Sequence, residues 1–221
     1  MAKIVHLTSV HPAFDIRIFY KECISLSASG HSVFLIVPHE RDESAEGVTI
    51  LSVPKPKNRL QRMVTTAYQI YKRAMNVNAD IYHIHDSELL PFAQVLRLRG
   101  KKVIFDMHEN LPLSIKTKPW ISRPLRSLIA LLYSYLERIL LYKIPVIFAE
   151  ISYRKNYSFV AMHETICNFP LFEKLTSTCV EKYHSPTVGY IGGVTALRGI
   201  LKILEALKIL EKKESEPNLN V

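Results

Sequence analysis

Histidines and carboxylates gather at two points of the sequence: His85-Asp86, closing DIYHIHD, and Asp106-Met107-His108-Glu109, closing KKVIFDMHE. These are the side chains of general acid–base work and of substrate orientation near neutral pH. They are also metal ligands, and His83, His85, Asp86, His108 and Glu109 invite that reading. An HxH pair in a strand puts both rings on one face. The remaining ligands must then come from Asp106 or His108, and no CxxC or HExxH accompanies them, so no metal is expected. His83 is expected to pack within the sheet. His85 and Asp86 stand at a strand end, where Asp86 or Ser87 can simply cap the next helix. His108 and Glu109 follow a buried strand and precede a loop, which packing alone does not explain. A general base or an orienting hydrogen-bond group is the role expected of His108.

Two further groups carry weaker signals. Residues 9–17 (SVHPAFDIR) fill the loop after the first strand. Nucleotide-binding sheets place glycines there so that phosphate can reach a helix N-terminus. This loop has none, so a dinucleotide fingerprint is absent. It carries His11, Asp15 and Arg17: Asp15 reads equally as a helix cap, and Arg17 as a partner for an anionic or polyhydroxy ligand. Further on, Gly192-Gly193 precede Arg198-Gly199. Glycines there allow close backbone approach and Arg198 can pair with phosphate, although most such turns only turn the chain.

These residues need strands to hold them. Ile81, His83 and the run Val103-Ile104-Phe105 read as short buried strands, and Leu89, Leu90, Ala93, Leu96 and Leu98 recur at near-helical spacing between them. Residues 80–109 therefore predict a right-handed βαβ unit. Both strands then end at the carboxyl edge of one sheet, where open α/β sheets bind ligands. Further strands are expected at 3–8, 31–37, 48–53, 145–149 and 164–168. One helix precedes Gly30, and another spans 60–75 with Leu60, Met63, Val64, Ala67, Ile70 and Tyr71 on one face. Residues 38–47 and 110–121 read as loops, 125–142 as a core helix with a buried leucine face, and 151–159 as a short basic helix. The alternation is that of a doubly wound parallel α/β sheet. Residues 1–170 form this domain and 171–185 a linker. Residues 186–221 begin a second unit, with a strand at 187–191 and a helix at 200–210. A single β–α pair cannot bury its own face, so that second domain is expected to be truncated.

The chain has 221 residues, 48% of them hydrophobic, enough for a sizeable core, and a net charge of +9. Such a balance favours an anionic partner: nucleic acid, a phosphorylated substrate or an anionic membrane. The basic residues are dispersed and no aromatic-rich recognition motif accompanies them, so no nucleic acid is expected. Three unpatterned cysteines suit a reducing compartment. Neither a signal peptide nor a membrane-spanning run is visible. Residues 125–141 are apolar with basic flanks, and Trp120, Tyr133, Tyr135 and Tyr142 add interfacial rings. The expected location is cytoplasmic, with peripheral contact to the inner face of the plasma membrane.

Taken in order, KIVHLTSVHPAFDIRIFYKECISLSASGHSVFLIV, YHIHDSELLPFA, VIFDMHEN, ERILLYK, ICNFP and VGYIGGVTALRGI resemble the retaining glycosyltransferases of family 4. The likeness is greatest to the bacterial branch that builds capsule, O-antigen or exopolysaccharide. It implies the GT-B fold, in which two Rossmann-like domains face a cleft. The N-terminal one binds the acceptor, lipid-linked or saccharide, and the C-terminal one the nucleotide-sugar donor. No cofactor or metal is implied. By resemblance His108 lies beside the transferred sugar, with Glu109 its neighbour at the cleft. His11, Asp15 and Arg17 hold the place of the family's first loop, and His85 and Asp86 line the acceptor side. Gly192 and Gly193 match the start of the donor domain, and Arg198 matches the residue that meets the donor diphosphate. The glutamate pair that grips the donor in this family does not occur before Val221. The chain alone is therefore expected to be inactive and to need a C-terminal half. The alternative is a non-catalytic GT-B half acting as a binding or assembly module.

Overall fold

β-branched, apolar runs recur along the chain, and those of the first 170 residues form one sheet in the computed structural model, which describes residues 1–118, 120–170, 188–195 and 198–215. The strands are β1 (Lys3–Leu7), β2 (Ser32–Pro38), β3 (Glu43–Ala45), β4 (Val48–Val53), β5 (Ile81–Ile84), β6 (Lys102–Met107), β7 (Val146–Phe148) and β8 (His163–Thr165). Their order is β3-β4-β2-β1-β5-β6-β7-β8. All neighbours are parallel except β3 and β4. β3 arises inside the expected loop at 38–47. Glu46 and Gly47 both take positive φ, 51° and 75°, the twist a two-residue hairpin requires. The chain leaves β1 toward β2 and β4, then returns to lay β5 on the other flank of β1. That reversal is a topological switch point, where such sheets bind ligands.

A π-helical turn (Ile18–Cys23) runs into α1 (Ile24–Ala28), which Gly30 ends at a φ of 84°. α2 (Arg59–Gln61), a second π-helical turn (Arg62–Thr66) and α3 (Ala67–Val77) follow one another directly. α4 (Leu90–Leu98), α5 (Leu111–Lys116) and α6 (Arg123–Leu140) complete the main unit. α5 replaces part of the loop expected at 110–121, because Asn110 Oδ1 accepts the N–H of Leu113 and Pro112 sits in the first turn, a favourable helix start. The basic helix expected at 151–159 is a shorter 3-10 turn, Ile151–Lys155.

Strand alternation divides the core. Leu7, Tyr82, Ile84, Phe105 and Met107 pack with Ala67, Ile70, Leu90 and Ala93 on one face. Val33, Leu35 and Ile50 pack beneath Ile18, Phe19 and Cys23 on the other. His6, His83, His85 and Asp106 alternate onto this second face.

Two helix faces differ from expectation. Ala67, Ile70 and Ala74 are the inner side of α3, whereas Leu60, Met63 and Val64 are exposed. In α6 only Ala130 and Glu137 are buried, and Leu125, Leu128, Leu131, Leu132, Leu136 and Ile139 are exposed. The expected core helix is instead amphipathic with its leucines outward, because α3 and α4 already cover the sheet and α6 packs on α4 and α5. Among the described residues, no helix is long and apolar enough to cross a membrane.

The chain divides into two compact units, Met1–Leu175 and Thr176–Val221. The linker expected at 171–185 lies outside the described residues. In the second unit α7 (Ile200–Ser215) is present. Residues 188–191 are irregular instead of a strand, and among the described residues no strand pairs with them.

Glu137 is a buried carboxylate that accepts the hydroxyl of Tyr157 at 2.8 Å. Burial raises its pKa to about 7, against the opposing hydrogen bond from Tyr157. The folded chain thus keeps a proton that the unfolded chain releases near 4.5. This stabilisation is complete below the lower value and is lost as pH rises through the higher one. The melting temperature of the native protein is therefore expected to fall more steeply between about pH 5 and pH 8 than that of Glu137→Gln. Parallel profiles would refute the assignment.

Candidate functional site

β1, β5 and β6 end side by side at the switch point, and the loops beyond them build the site. Asp106, the penultimate residue of β6, is fully buried. Arg17 donates Nε and Nη2 to its two oxygens, each at 2.8 Å, a bidentate pair. His108 Nε2 lies 2.9 Å from Asp106 Oδ2. Burial opposes the Asp106 charge, yet hydrogen bonds from His108, His85 and Arg17 prevail and hold its carboxyl well below the usual range. An ionised Asp106 keeps the proton of His108 on Nε2 and leaves Nδ1 as an acceptor. His108 borders a cleft of about 490 Å³, together with Arg17, Glu150, Ser152 and Asn168. Tyr153 donates its hydroxyl to the His108 carbonyl at 3.1 Å, which fixes the loop that carries the ring.

The first loop closes over this edge. Asp86 Oδ2 accepts Thr8 Oγ1 at 2.7 Å, Ser9 N at 2.6 Å and Val10 N at 3.2 Å. Its other oxygen faces His11 Nδ1 at 3.2 Å. Burial again opposes the charge, but the hydrogen bonds, led by that of His11, lower the Asp86 pKa to about 2. The reciprocal effect raises that of His11, despite its own burial. The Asp86 side chain thus makes no helix-capping hydrogen bond. It pins the loop, and the His11 ring stands 5.1 Å from that of His108.

The other expected residues fall in different places. His85 has no exposed side-chain surface; it touches His6 Nδ1 at 2.9 Å and His108 Nε2 at 3.3 Å, and so does not line the acceptor side itself. Burial, with the neighbouring His83 and His108, lowers its pKa to about 3. Asp15 caps the π-helical turn, its Oδ1 accepting Arg17 N at 2.8 Å and Ile18 N at 2.9 Å. Arg17 touches the cleft, but its guanidinium is spent on Asp106, on Glu22 at 3.0 Å and on the carbonyl of Ile166 at 2.9 Å. Glu109 is exposed and does not border the cleft. Glu150, which does, went unnoticed in the sequence, although it directly follows the β7–Ala149 run and so obeys the same strand-end rule as His108. Glu22 and His6 were also missed. Their signal was a charged residue between the buried Phe19 and Cys23, and a histidine inside an otherwise apolar first strand.

In the second unit, Arg198 lies over the Gly192-Gly193 turn: its Nη1 is 3.2 Å from where a Cβ on Gly192 would stand. Gly192 also has a φ of 145°, so only glycine suits this turn. Arg198 directly precedes Gly199 and the first turn of α7.

Comparison with known proteins gives the family and the fold. The model of Glycosyltransferase Family 4 matches residues 17–150, more than half of the chain. Sucrose-phosphate synthase from Thermosynechococcus elongatus is similar in structure, with a TM-score of 0.55 at 12% identity over 76% of this chain and 48% of that one. An α,α-trehalose-phosphate synthase (UDP-forming) from Burkholderia vietnamiensis gives 0.47 at 13% identity over 72% and 42%, too low to add weight. A comparison with curated proteins finds no match. The chain spans about half the length of the solved structures it resembles. At such identity the solved structures speak for the fold alone, that of a Rossmann-like GT-B domain. The matched stretch begins at the brace Arg17 and ends at the cleft residue Glu150, enclosing the ends of β5 and β6, and the chain belongs to Glycosyltransferase Family 4.

Proposed function

We propose that the cleft beside His108 is the acceptor-side wall of a retaining sugar transfer, in which a nucleotide-sugar donates to a saccharide or lipid-linked acceptor of bacterial surface polysaccharide. The observation that carries this reading is the His108–Asp106–Arg17 relay. A buried ion pair fixes the tautomer of a ring whose acceptor nitrogen, Nδ1, is left for the cleft. A hydroxyl of the transferred sugar can donate to that nitrogen, and a ring already in place costs no reorganisation when the sugar arrives. His11 and Glu150 are placed to meet acceptor hydroxyls. Gly192, Gly193 and Arg198, together with the N-terminus of α7, suit the donor diphosphate, whose charge grows as it leaves. No metal or cofactor takes part in the transfer so described.

The exposed stripe of α6 supports a peripheral membrane role. Leu125, Leu128, Leu132 and Ile139 recur at helical spacing and face outward, while Arg123 and Arg138 on the same helix are exposed. An apolar stripe with basic company suits an anionic lipid surface, which is where a lipid-linked acceptor resides.

Two measurements test these readings. In a transfer assay on the protein from its full reading frame, His108→Ala is expected to lower kcat/KM by about 10²–10⁴-fold at an unchanged melting temperature. Native-level turnover would reject the role of His108. In sedimentation with phosphatidylglycerol-containing vesicles, Leu128→Glu and Leu132→Glu are each expected to weaken partitioning by at least about tenfold, the worth of one buried leucine. Unchanged partitioning, or none by the native chain, would remove the membrane reading.

A further inference from the structure

Beneath His108 lies a group of side chains that the transfer reading does not use. The register of β1 and β5 sets His6 opposite His83, and His85 follows two residues on, so all three rings share one face of the sheet. Glu22 comes down onto them from the π-helical turn, where its N–H reaches back to the Arg17 carbonyl at 3.0 Å. That extra residue per turn re-aims a side chain, a device frequent at functional sites.

The four donors lie within 4.8 Å of one another. Glu22 Oε2 is 3.8 Å from His6 Nδ1, 3.9 Å from His83 Nδ1 and 3.8 Å from His85 Nε2. His6 Nδ1 and His85 Nε2 are 2.9 Å apart. Glu22 Oε2 is buried and has no hydrogen-bond partner: the three nitrogens around it stand too far for hydrogen bonds. The outer nitrogens of His6 and His83 also lack partners, so no hydrogen bond there sets which nitrogen of either ring carries the proton. Hydrogen bonding alone leaves this cluster expensive, because a buried carboxylate oxygen without a partner forfeits its solvation.

One divalent ion would give Glu22 Oε2 a partner and engage the inner nitrogens around it. Tetrahedral bonds of 2.0–2.1 Å put ligand atoms about 3.3 Å apart, inside the 2.9–3.9 Å spanned by the four separations above, with every pair within 4.8 Å. Two of the four ligands, Glu22 and His85, also have outer partners. Glu22 gives its second oxygen to Arg17 Nε at 3.0 Å, and His85 turns Nδ1 toward Asp106 Oδ2 at 3.5 Å, the carboxylate–histidine–metal arrangement. The neighbouring trio His85, Asp106 and His108 is a poorer site, since Arg17 already takes both oxygens of Asp106.

We propose that His6, Glu22, His83 and His85 form a closed, four-coordinate site for a divalent transition-metal ion of the zinc type. Three imidazoles and one carboxylate without thiolate suit zinc and its first-row neighbours. With four protein ligands, the site leaves no open position for substrate, so its role is structural. The ion clamps the π-helical turn to the centre of the sheet and sets His85, and through it Asp106 and His108, from below. It adds no step to sugar transfer, and it replaces the expectation that the chain holds no metal.

The test is elemental analysis of the untagged chain purified from zinc-supplemented cells, followed by chelation and cobalt(II) substitution. About one equivalent of metal is expected, lost to a strong chelator with a drop in melting temperature and regained with zinc. The cobalt form is expected to show the visible absorption of a tetrahedral N/O site. Glu22→Gln and His83→Gln should each lower bound metal at least tenfold, while His39→Gln, a control outside the cluster, keeps it. Metal content far below one equivalent, with a melting temperature indifferent to chelator, overturns the proposal. So does full metal content in Glu22→Gln or His83→Gln. Should either variant fail to fold, the stoichiometry and cobalt spectrum of the native chain decide alone.

Discussion

The buried pair of Arg17 and Asp106 is the interaction on which the rest of this structure leans. Asp106 sits where β6 leaves the sheet, with no exposed surface, and the guanidinium joins His108 and His85 in making an ionised carboxylate tolerable there. Removing one member of such a pair leaves the other charge uncompensated, at a cost of about 3–5 kcal/mol. The pair also orients. One Asp106 oxygen meets Arg17 Nε and stands beside His108, and the same Arg17 nitrogen faces Glu22. Three segments distant in sequence are thus set by one planar, forked cation, a geometry lysine does not reproduce.

Around that pair the sheet carries its polar residues on one face only. His6, His83, His85 and Asp106 occupy consecutive central strands, while Leu7, Ile84, Phe105 and Met107 supply the opposite face with an apolar core. The fold thereby separates its two tasks. The α3–α4 side holds the domain together, and the side under the π-helical turn organises the carboxyl edge. Asp86 performs the same service for the first loop. With its hydroxyl and amide partners it substitutes for the glycines that usually shape this turn, and it delivers His11 next to His108.

Much of this was legible in the sequence, for reasons that particular residues make plain. The alternation of β-branched strands and helical stripes yields the doubly wound sheet, and the strand-end rule points to His108. What stayed hidden depended on partners far along the chain. Whether Arg17 meets a ligand or braces Asp106 is decided 89 positions away. His85 and Asp86 look alike at a strand end, yet alternation turns one inward to its histidines and lets the other reach back to Thr8. The leucines of α6 have the same spacing whether they face a core or solvent. Only the prior claim of α3 and α4 on the sheet decides between the two. Glu109 stands next to His108 in sequence, but strand geometry sends it away from the cleft.

Arg17 reaches further still, donating Nη1 to the carbonyl of Ile166 across 149 positions. A contact of that span closes nearly the whole chain of the main unit into a loop, and its entropy must be met before the contact returns anything. During synthesis the residues that surround His108 emerge well before Ile166 does. The segment after β8 therefore acts as a latch, and Arg17 has its full set of partners only when the far end of the sheet is docked. The region that looks most like a beginning, the first loop and its arginine, is completed by nearly the last residues of the domain.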